Sequence, residues 1–276
     1  MSHPHHMITS PANARVKEVV ALRRRRVREQ AGVTLVEGYE ELGLALSAGV
    51  RPRTLYFCPP LAGDRAPGML GRTAGLGTEV IGVTPQVFGK MAYRESPDGW
   101  LAVVPAVATA LPRLDPAARP LVLVCQGIEK PGNLGAILRT ADAAGVAAVV
   151  AADPVTDWGN PNVVRASKGT LFCVPVGSAA SAEVLAWLDD QGLALVVAMP
   201  GADLPMTEAD LTGPTAIAVG SEKHGLPERW AQSAAARVRI PMFGRADSLN
   251  VAAAAAILTY EAVRQRAQPG LTRRRS

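Results

Sequence analysis

Apolar positions along the chain follow two different spacings. Runs that are apolar at every position, such as 121–125 and 215–219, predict strands buried on both faces. Apolar residues at helical spacing, as in 134–144, predict helices that pack on one side of such strands. Strands that alternate with helices in this way predict an α/β fold with a doubly wound parallel sheet.

The pattern also predicts a smaller mixed module ahead of this sheet. A helix begins with Ser10 as N-cap and Pro11 in its first turn and ends at Gly32. A short alternation of strands and one helix follows: strands 34–38, 53–57, 79–83 and 101–104 and helix 40–48. The later half adds strands 146–151, 193–199 and 237–240 and helices 182–191, 228–235 and 252–266.

The Pro- and Ala-rich stretch 105–120 breaks this periodicity and is interpreted as a linker. A chain of 276 residues is long enough for two domains. We predict a small α/β domain at 1–108, a linker at 109–120 and a larger α/β domain at 121–276.

Charge adds a candidate surface. The chain has 29 Lys and Arg against 24 Asp and Glu, a net charge of +5, which mildly favours a polyanionic partner. The excess is concentrated in the run Arg23, Arg24, Arg25, Arg26 and Arg28 and in 273–275. These arginines either neutralise phosphates or form a solvated charged face, and the motifs described below favour phosphate binding.

Cysteine usage and the termini restrict the compartment. Three widely spaced cysteines fit neither a disulfide framework nor a close-pair metal site. The sequence shows no signal peptide and no apolar run long enough to span a bilayer, so we predict a cytoplasmic protein. His3, His5 and His6 have no second shell of supporting groups at a chain terminus, and no metal site is predicted.

Polar residues cluster at three turns between strands and helices. Asn133 and Arg139 follow the strand at 121–125, and Glu222 lies in the turn 220–225 after the strand at 215–219. The third turn, 248–250, feeds the last helix. Parallel strands bring such turns to one edge of a sheet, where they can border one cavity.

Each turn has a purely structural interpretation as well. Asn133 could cap its helix while Arg139 pairs with Asp142, and Glu222 could cap the next helix. Ser248 or Asp247 could cap the last one. The glycines of 126–135 lack the compact spacing of a dinucleotide-binding turn, and no phosphate loop of the Walker type is present.

Taken in order, the three turns resemble the motifs of the SpoU/TrmH family (SPOUT superfamily) of RNA ribose 2′-O-methyltransferases, including its rRNA-modifying and antibiotic-resistance members. The matching segments are Asn133-Leu-Gly-Ala-Ile-Leu-Arg139, Ile217-Ala-Val-Gly-Ser-Glu222-Lys-His-Gly225 and Ile240-Pro-Met with Ser248-Leu-Asn250-Val. The run Arg165-Ala-Ser-Lys-Gly169 also matches, and the N-terminal module resembles the ribosomal-protein-like RNA-binding domain of many members.

The resemblance implies a trefoil-knotted C-terminal domain that binds S-adenosylmethionine and forms a homodimer through that domain, without a metal. It implies cofactor contacts from Ala198, Met199, Gly220, Ile240, Met242, Leu249 and Asn250. The catalytic group that it implies is Arg139, Asn133, Glu222, Ser248 and Asn250.

In the proposed reaction of this family, Arg139 acts as the base. Because the reference pKa of Arg is roughly 12.5–13.8, holding a phosphate and stabilising the developing alkoxide is physically easier. The resemblance favours 23S rRNA as substrate, and some such relatives confer antibiotic resistance. The alternatives are a tRNA 2′-O-methyltransferase and a non-catalytic RNA-binding protein of ribosome assembly.

Overall fold

The computed structural model describes residues 7–267, which form two compact units. The first comprises the residues up to Ala108 together with Asp157–Cys173, and the second comprises Thr109–Thr156 and the residues from Val174 onward. The segment Asp157–Cys173 therefore packs with the first unit, whereas the sequence pattern assigned it to the domain at 121–276. The histidines at 3, 5 and 6 and the arginines at 273–275 lie outside the described residues.

The first unit is a mixed five-stranded sheet with helices around it. Strands β1 and β4 and strands β4 and β3 pair in parallel, and β5 pairs antiparallel with both β3 and β2. Its elements are β1 (Met7–Ile8), α1 (Ala14–Ala21), α2 (Arg25–Ala31), β2 (Val33–Glu37), α3 (Tyr39–Ser47), β3 (Thr54–Phe57), α4 (Pro59–Ala62), α5 (Ala66–Ala74), β4 (Glu79–Val83), α6 (Pro85–Met91) and β5 (Trp100–Pro105).

The single helix predicted from Ser10 to Gly32 is wrong. Two helices, α1 and α2, are separated by residues 22–24, and Arg24 has an extended backbone (φ −86°, ψ 128°). Helix α1 is capped by Asn13, whose side chain accepts from the N–H of Arg15 at 2.9 Å. The arginine run therefore lies across a break between two helices.

The second unit is a seven-stranded sheet whose strands are all parallel, as the runs of apolar residues predicted. The strand order is β10-β12-β9-β11-β6-β7-β8. Its elements are β6 (Leu121–Gln126), α7 (Pro131–Ala144), β7 (Ala148–Ala152), then, after α8 (Pro161–Ala166) of the first unit, β8 (Val176–Ala179), α9 (Ser181–Asp190), β9 (Ala194–Ala198), β10 (Leu204–Pro205), β11 (Thr215–Val219), α10 (Glu228–Ser233), β12 (Ala236–Arg239) and α11 (Val251–Arg266).

The strand order reverses at the centre of this sheet. The chain moves outward from β6 through β7 to β8 on one side, then continues on the other side, where β11 lies between β6 and β9. Loops that leave the carboxyl ends of strands on either side of such a reversal form a crevice. The loops after β6, β9, β11 and β12 leave the sheet at this edge.

Packing in the second unit fixes those loops. Strand β6 is buried at every position, and Trp230 of α10 is fully buried against the same core. Helix α11 packs on α7 and β11. None of the helices among residues 7–267 is both long and apolar enough to cross a lipid bilayer.

Candidate active site

Side chains from three loops of the second unit meet in one hydrogen-bonded chain. The Nδ2 group of Asn250 donates to Oδ1 of Asn133 at 3.2 Å, and Nδ2 of Asn133 donates to the carboxylate of Glu222. Asn133 comes from the first turn of α7, Glu222 from the loop after β11 and Asn250 from the start of α11. The three turns therefore lie close together, as the sequence predicted.

The residues that cap the two helices differ from the prediction. Helix α7 begins at Pro131 with Lys130 as N-cap, so Asn133 is its third residue and its amide is available for Glu222 and Asn250. Helix α11 is capped by Asn250, whose Oδ1 accepts from the N–H of Ala252 at 3.0 Å. Neither Ser248 nor Asp247 caps it. One amide of Asn250 thus caps a helix and holds Asn133.

The loop 220–225 folds tightly on itself. The N–H of Gly225 donates to the carbonyl of Ser221 at 2.9 Å, and Gly225 has a φ of +64°. A Cβ atom at Gly220 would collide with the backbone of Gly225 and Leu226. A residue without a side chain is therefore required at position 220 for steric reasons, and Glu222 is presented at the tip of the loop.

A cavity of about 240 Å³ opens beside this chain of amides, at the ends of β9, β11 and β12. Six of the residues predicted to contact a cofactor line it: Ala198, Met199, Gly220, Ile240, Met242 and Leu249. Glu222 and Ser248, which were predicted as catalytic, line it as well. Asn133, Arg139 and Asn250 are not among its lining residues.

The cavity is apolar in its walls and polar at its rim. Val219, Val238 and Ile240 supply branched apolar side chains, while Asp247 and Glu222 supply carboxylates. No hydrogen bond joins a backbone group of Gly220, Ile240 or Leu249 to any other residue in the part of the chain that the structure describes. Free backbone groups beside an apolar wall suit a flat heteroaromatic ligand that needs donors and acceptors at its edge.

Arg139 stands apart from this chain of amides. It is exposed on α7, and it makes no hydrogen bond or ion pair within residues 7–267. The alternative pairing with Asp142 does not form. The guanidinium is therefore free to bind an anionic group from solution.

In the first unit, the arginine run has two different roles. Arg28 is 3% exposed, and its Nη2 group contacts both carboxylate oxygens of Asp157, at 2.9 and 2.7 Å, so the prediction that it contacts phosphate is wrong. Arg23 donates to the carbonyls of Lys90 and Ala92 and lies over the ring of Tyr93.

The remaining arginines of the run are exposed. Arg25 pairs with Glu29 at 2.7 Å across one turn of α2, and such an exposed pair contributes little stability. Arg24 and Arg26 have no side-chain partner among the described residues. Like Arg23, these three side chains are exposed, and of the five predicted phosphate-binding arginines only Arg28 is buried.

A polar network that the sequence pattern did not predict lies at the ends of β6 and β7. The carboxylate of Asp153 accepts from the N–H of Ser181 at 2.8 Å, from the Ser181 hydroxyl at 2.5 Å and from Gln126 at 3.2 Å. Burial raises the pKa of Asp153, but the bonds from Ser181 and Gln126 outweigh it and lower the pKa below its usual value. An Asp directly after a buried strand was the only signal available.

No cluster of three potential metal-ligating side chains is found within residues 7–267. The site consists of hydrogen-bonded turns beside an apolar cavity, and the unpaired guanidinium of Arg139 lies about two helical turns along α7 from Asn133. Such a site can hold an organic ligand and an anionic substrate side by side.

Comparison with known proteins decides the family. A model described as the SpoU rRNA methylase family matches residues 120–260, and a model described as the MRM3-like substrate binding domain matches residues 13–102. The chain belongs to the SpoU rRNA methylase family. The three turns that meet at the cavity all lie within the segment that matches the SpoU model.

Relatives that match more than nine-tenths of this chain show similarity across both units. A 23S rRNA (uridine(2479)-2′-O)-methyltransferase from Streptomyces viridochromogenes is 34% identical over 262 residues, which cover 92% of this chain and 91% of the relative. A crystal structure described as an RNA 2′-O ribose methyltransferase is 41% identical, with a TM-score of 0.82, and the match covers 94% of this chain and 99% of that one. An AdoMet-bound rRNA methyltransferase from Sinorhizobium meliloti is 28% identical, with a TM-score of 0.87, 95% of this chain and 98% of that one being covered.

Proposed function

We propose that this chain transfers the methyl group of S-adenosylmethionine to a ribose 2′-hydroxyl of ribosomal RNA. The observation that carries the proposal is the chain of hydrogen bonds from Asn250 through Asn133 to Glu222 beside the cavity at the ends of β9, β11 and β12. Structural support alone does not require three loops to meet through side-chain amides at the rim of an apolar cavity.

The cavity fits S-adenosylmethionine. Apolar residues such as Val238, Ile240 and Leu249 would enclose the adenine, and the free backbone groups of Gly220, Ile240 and Leu249 would meet its polar edge. The carboxylates at the rim would face the positively charged end of the molecule. A related structure, the rRNA methyltransferase from S. meliloti, is described as AdoMet bound. When bound, S-adenosylmethionine supplies an electrophilic methyl group.

The residues of the chain have to prepare the 2′-hydroxyl for attack on that methyl group. The hydroxyl loses its proton as it attacks, so it needs precise positioning and a group that favours the developing alkoxide. Arg139 supplies an unpaired positive charge, which would hold a phosphate of the RNA next to the reacting ribose and stabilise the alkoxide. Asn133, Glu222 and Asn250 keep the loops in place through their hydrogen bonds, and Ser248 at the cavity would contact the nucleotide.

The substrate that we propose is 23S rRNA. The relative from S. viridochromogenes carries that substrate in its name, and residues 13–102 match a substrate-binding domain family. Exposed Arg24, Arg25 and Arg26 would contact the RNA backbone. Methylation of a nucleotide in a drug-binding region would remove a hydroxyl donor and add bulk, and we include antibiotic resistance in the proposal. We also propose that the protein acts on this substrate in the cytoplasm.

The proposal includes a trefoil knot and a homodimer of the second unit. Helix α11 carries two exposed large apolar residues, Ile257 and Tyr260, which lie three positions apart and so on one face of the helix. Burial of both against a second copy would remove apolar surface from water. Light scattering of the purified chain measures its mass directly, and a monomer would contradict this part of the proposal.

Methyl transfer is tested with labelled S-adenosylmethionine and in vitro transcribed 23S rRNA, with tRNA as a parallel substrate. We expect label in the 23S transcript and resistance of the modified position to alkaline cleavage, because a 2′-O-methyl group blocks attack on the adjacent phosphate. An Arg139→Ala variant should bind the cofactor and fail to transfer methyl. Cofactor binding by the wild-type chain without label in any RNA would contradict the proposal.

A further inference from the structure

The loop between β12 and α11 exposes an aromatic side chain beside the cavity. Phe243 is 98% exposed, and Met242 and Leu249 on the same loop are 38% and 37% exposed. Met242 and Leu249 line the cavity, and Phe243 directly follows Met242 in the chain. Exposure of a whole phenyl ring to water is unfavourable, so this position calls for a binding partner.

Two cationic residues on the loops beside the cavity indicate the chemistry of that partner. Arg245 lies two residues after Phe243, and Lys223 lies in the loop 220–225, next to Glu222, which lines the same cavity as Met242. Both side chains are exposed and neither has a hydrogen-bond or ion-pair partner among the described residues. An exposed aromatic ring, together with unpaired cations on the loops of the same cavity, is a combination that binds unstacked nucleotides, because bases stack on the ring and cations meet the phosphates.

We propose that Phe243 is a stacking platform for a nucleobase of the RNA substrate, with Arg245 and Lys223 on the adjoining phosphates. This inference rests on the proposed function, because it takes the cavity as the site of the methyl donor. A ribose that presents its 2′-hydroxyl to the cavity carries its own base to the cavity rim. The target nucleotide has to leave the helical stack to reach that position, and stacking on Phe243 replaces part of the lost base stacking.

Stacking on a ring makes no hydrogen bonds to base edges. Every base has a π face, so Phe243 would accept any of the four bases and would contribute affinity rather than sequence selection. The selection of the target position is then left to the fold of the RNA and to the first unit. Phe243 is a positioning residue in this scheme, since it does not touch the reacting atoms.

Three substitutions separate stacking from other roles of the ring: Phe243→Ala removes it, Phe243→Trp keeps an aromatic face and Phe243→Leu keeps only apolar bulk. The matched control is Val155→Ala, which shortens an apolar residue of the same unit that is 59% exposed on the loop after β7. For each variant, filter binding gives the Kd for in vitro transcribed 23S rRNA, and calorimetry gives the Kd for S-adenosylmethionine.

We expect Phe243→Ala to raise the Kd and KM for RNA by about ten- to a hundredfold, the range measured when an aromatic stacking residue is truncated. Phe243→Trp should retain wild-type values, Phe243→Leu should resemble the Ala variant, and cofactor affinity should stay unchanged in all of them. An unchanged RNA affinity in Phe243→Ala, or full rescue by Leu, would overturn the proposal.

Light scattering adds a third readout. If Phe243→Ala alone changes the mass of the protein in solution, the ring is covered by a second copy of the chain and the stacking role is wrong. Failure of the proposed function has a different signature, since it leaves the wild-type chain unable to label RNA. The filter-binding comparison tests Phe243 in either case.

Discussion

The side chain of Asn250 joins the start of α11 to Asn133 on α7. Its Nδ2 group donates to Oδ1 of Asn133 at 3.2 Å, while its Oδ1 accepts from the N–H of Ala252 at 3.0 Å. The orientation of each amide is thereby fixed by its neighbours: Asn133 must point its own NH₂ group at Glu222. The side chain at position 250 therefore has to donate to Asn133 and to accept from the N–H of Ala252.

This arrangement predicts that Asn250→Asp separates stability from activity. Asp caps helices as well as Asn does, so thermal unfolding should stay near that of the wild type. A carboxylate only accepts hydrogen bonds, and Asn133 could satisfy it only by turning its NH₂ group away from Glu222. We expect methyl transfer to fall by about a hundredfold, the scale of a small misplacement of reacting groups.

Asn250→Ala removes both bonds of that side chain and should also lower stability, by about 0.5–2 kcal/mol. The control is Asn13→Ala, because Asn13 caps α1 of the first unit through the same type of bond, to Arg15. That variant should lose a similar amount of stability and bind S-adenosylmethionine normally. Full activity in Asn250→Asp would show that the link to Asn133 has no catalytic role.

Features that depend on neighbouring residues could be predicted from the sequence, whereas features that depend on contacts between distant residues could not. Strands such as β6 and β11 were predictable because every position is apolar. The cap of α11 was not, since Asp247, Ser248 and Asn250 are all good capping residues within four positions and only tertiary contacts select one. The start of α7 was placed late because Pro131 was not taken as its first residue.

Arg28 shows the limit most clearly. Its ion-pair partner, Asp157, is 129 positions away in the sequence, so nothing near Arg28 indicates that it is buried. A run of arginines was interpreted as one surface, although one member packs inside the first unit and the others are exposed. The order of the motifs could still identify the site, because that order does not depend on which arginine is buried.

Loss of either Arg28 or Asp157 should strongly destabilise the first unit. The side chain of Arg28 is 4% exposed and that of Asp157 is 18% exposed. Removal of one member leaves a buried charge without its counterion, at a cost of about 3–5 kcal/mol. We expect Asp157→Ala to lower the free energy of unfolding of the first unit by that amount, measured by native-state hydrogen exchange in β2 and α8.

The exposed pair of Arg25 and Glu29 supplies the comparison. Its side chains are 49% and 57% exposed, so Arg25→Ala should change the same free energy by less than about 1 kcal/mol. Equal effects of Asp157→Ala and Arg25→Ala would mean that burial of Arg28 does not strengthen its pair.

Gly220 should tolerate no side chain. A Cβ atom there would meet the backbone of Gly225 and Leu226, which cannot move without opening the loop that carries Glu222. We expect Gly220→Ala to abolish measurable binding of S-adenosylmethionine in calorimetry. Gly89→Ala on α6, where a Cβ atom meets nothing within 4 Å, should leave binding intact and leave stability equal or slightly higher. Wild-type affinity in Gly220→Ala would show that the loop 220–225 does not form the wall of the cofactor site.

The network of Asp153 predicts a specific dependence of stability on pH. Burial raises the pKa of this carboxyl, but the hydrogen bonds from Ser181 and Gln126 lower it further, so the folded-state pKa is below the unfolded value of about 3.9. The contribution to stability is therefore fully present above pH 3.9 and is lost as the pH falls through the folded-state pKa.

Urea unfolding between pH 7 and pH 2.5 should show Asp153→Asn less stable than the wild type at neutral pH, with the two curves converging at the acidic end. Ser181→Ala removes one of the two bonds from Ser181 to the carboxylate, together with the bond that the indole of Trp230 donates to the hydroxyl, so its stability should depend less steeply on pH than that of the wild type. Parallel curves for the wild type and Asp153→Asn would show that these hydrogen bonds do not favour the ionised carboxylate.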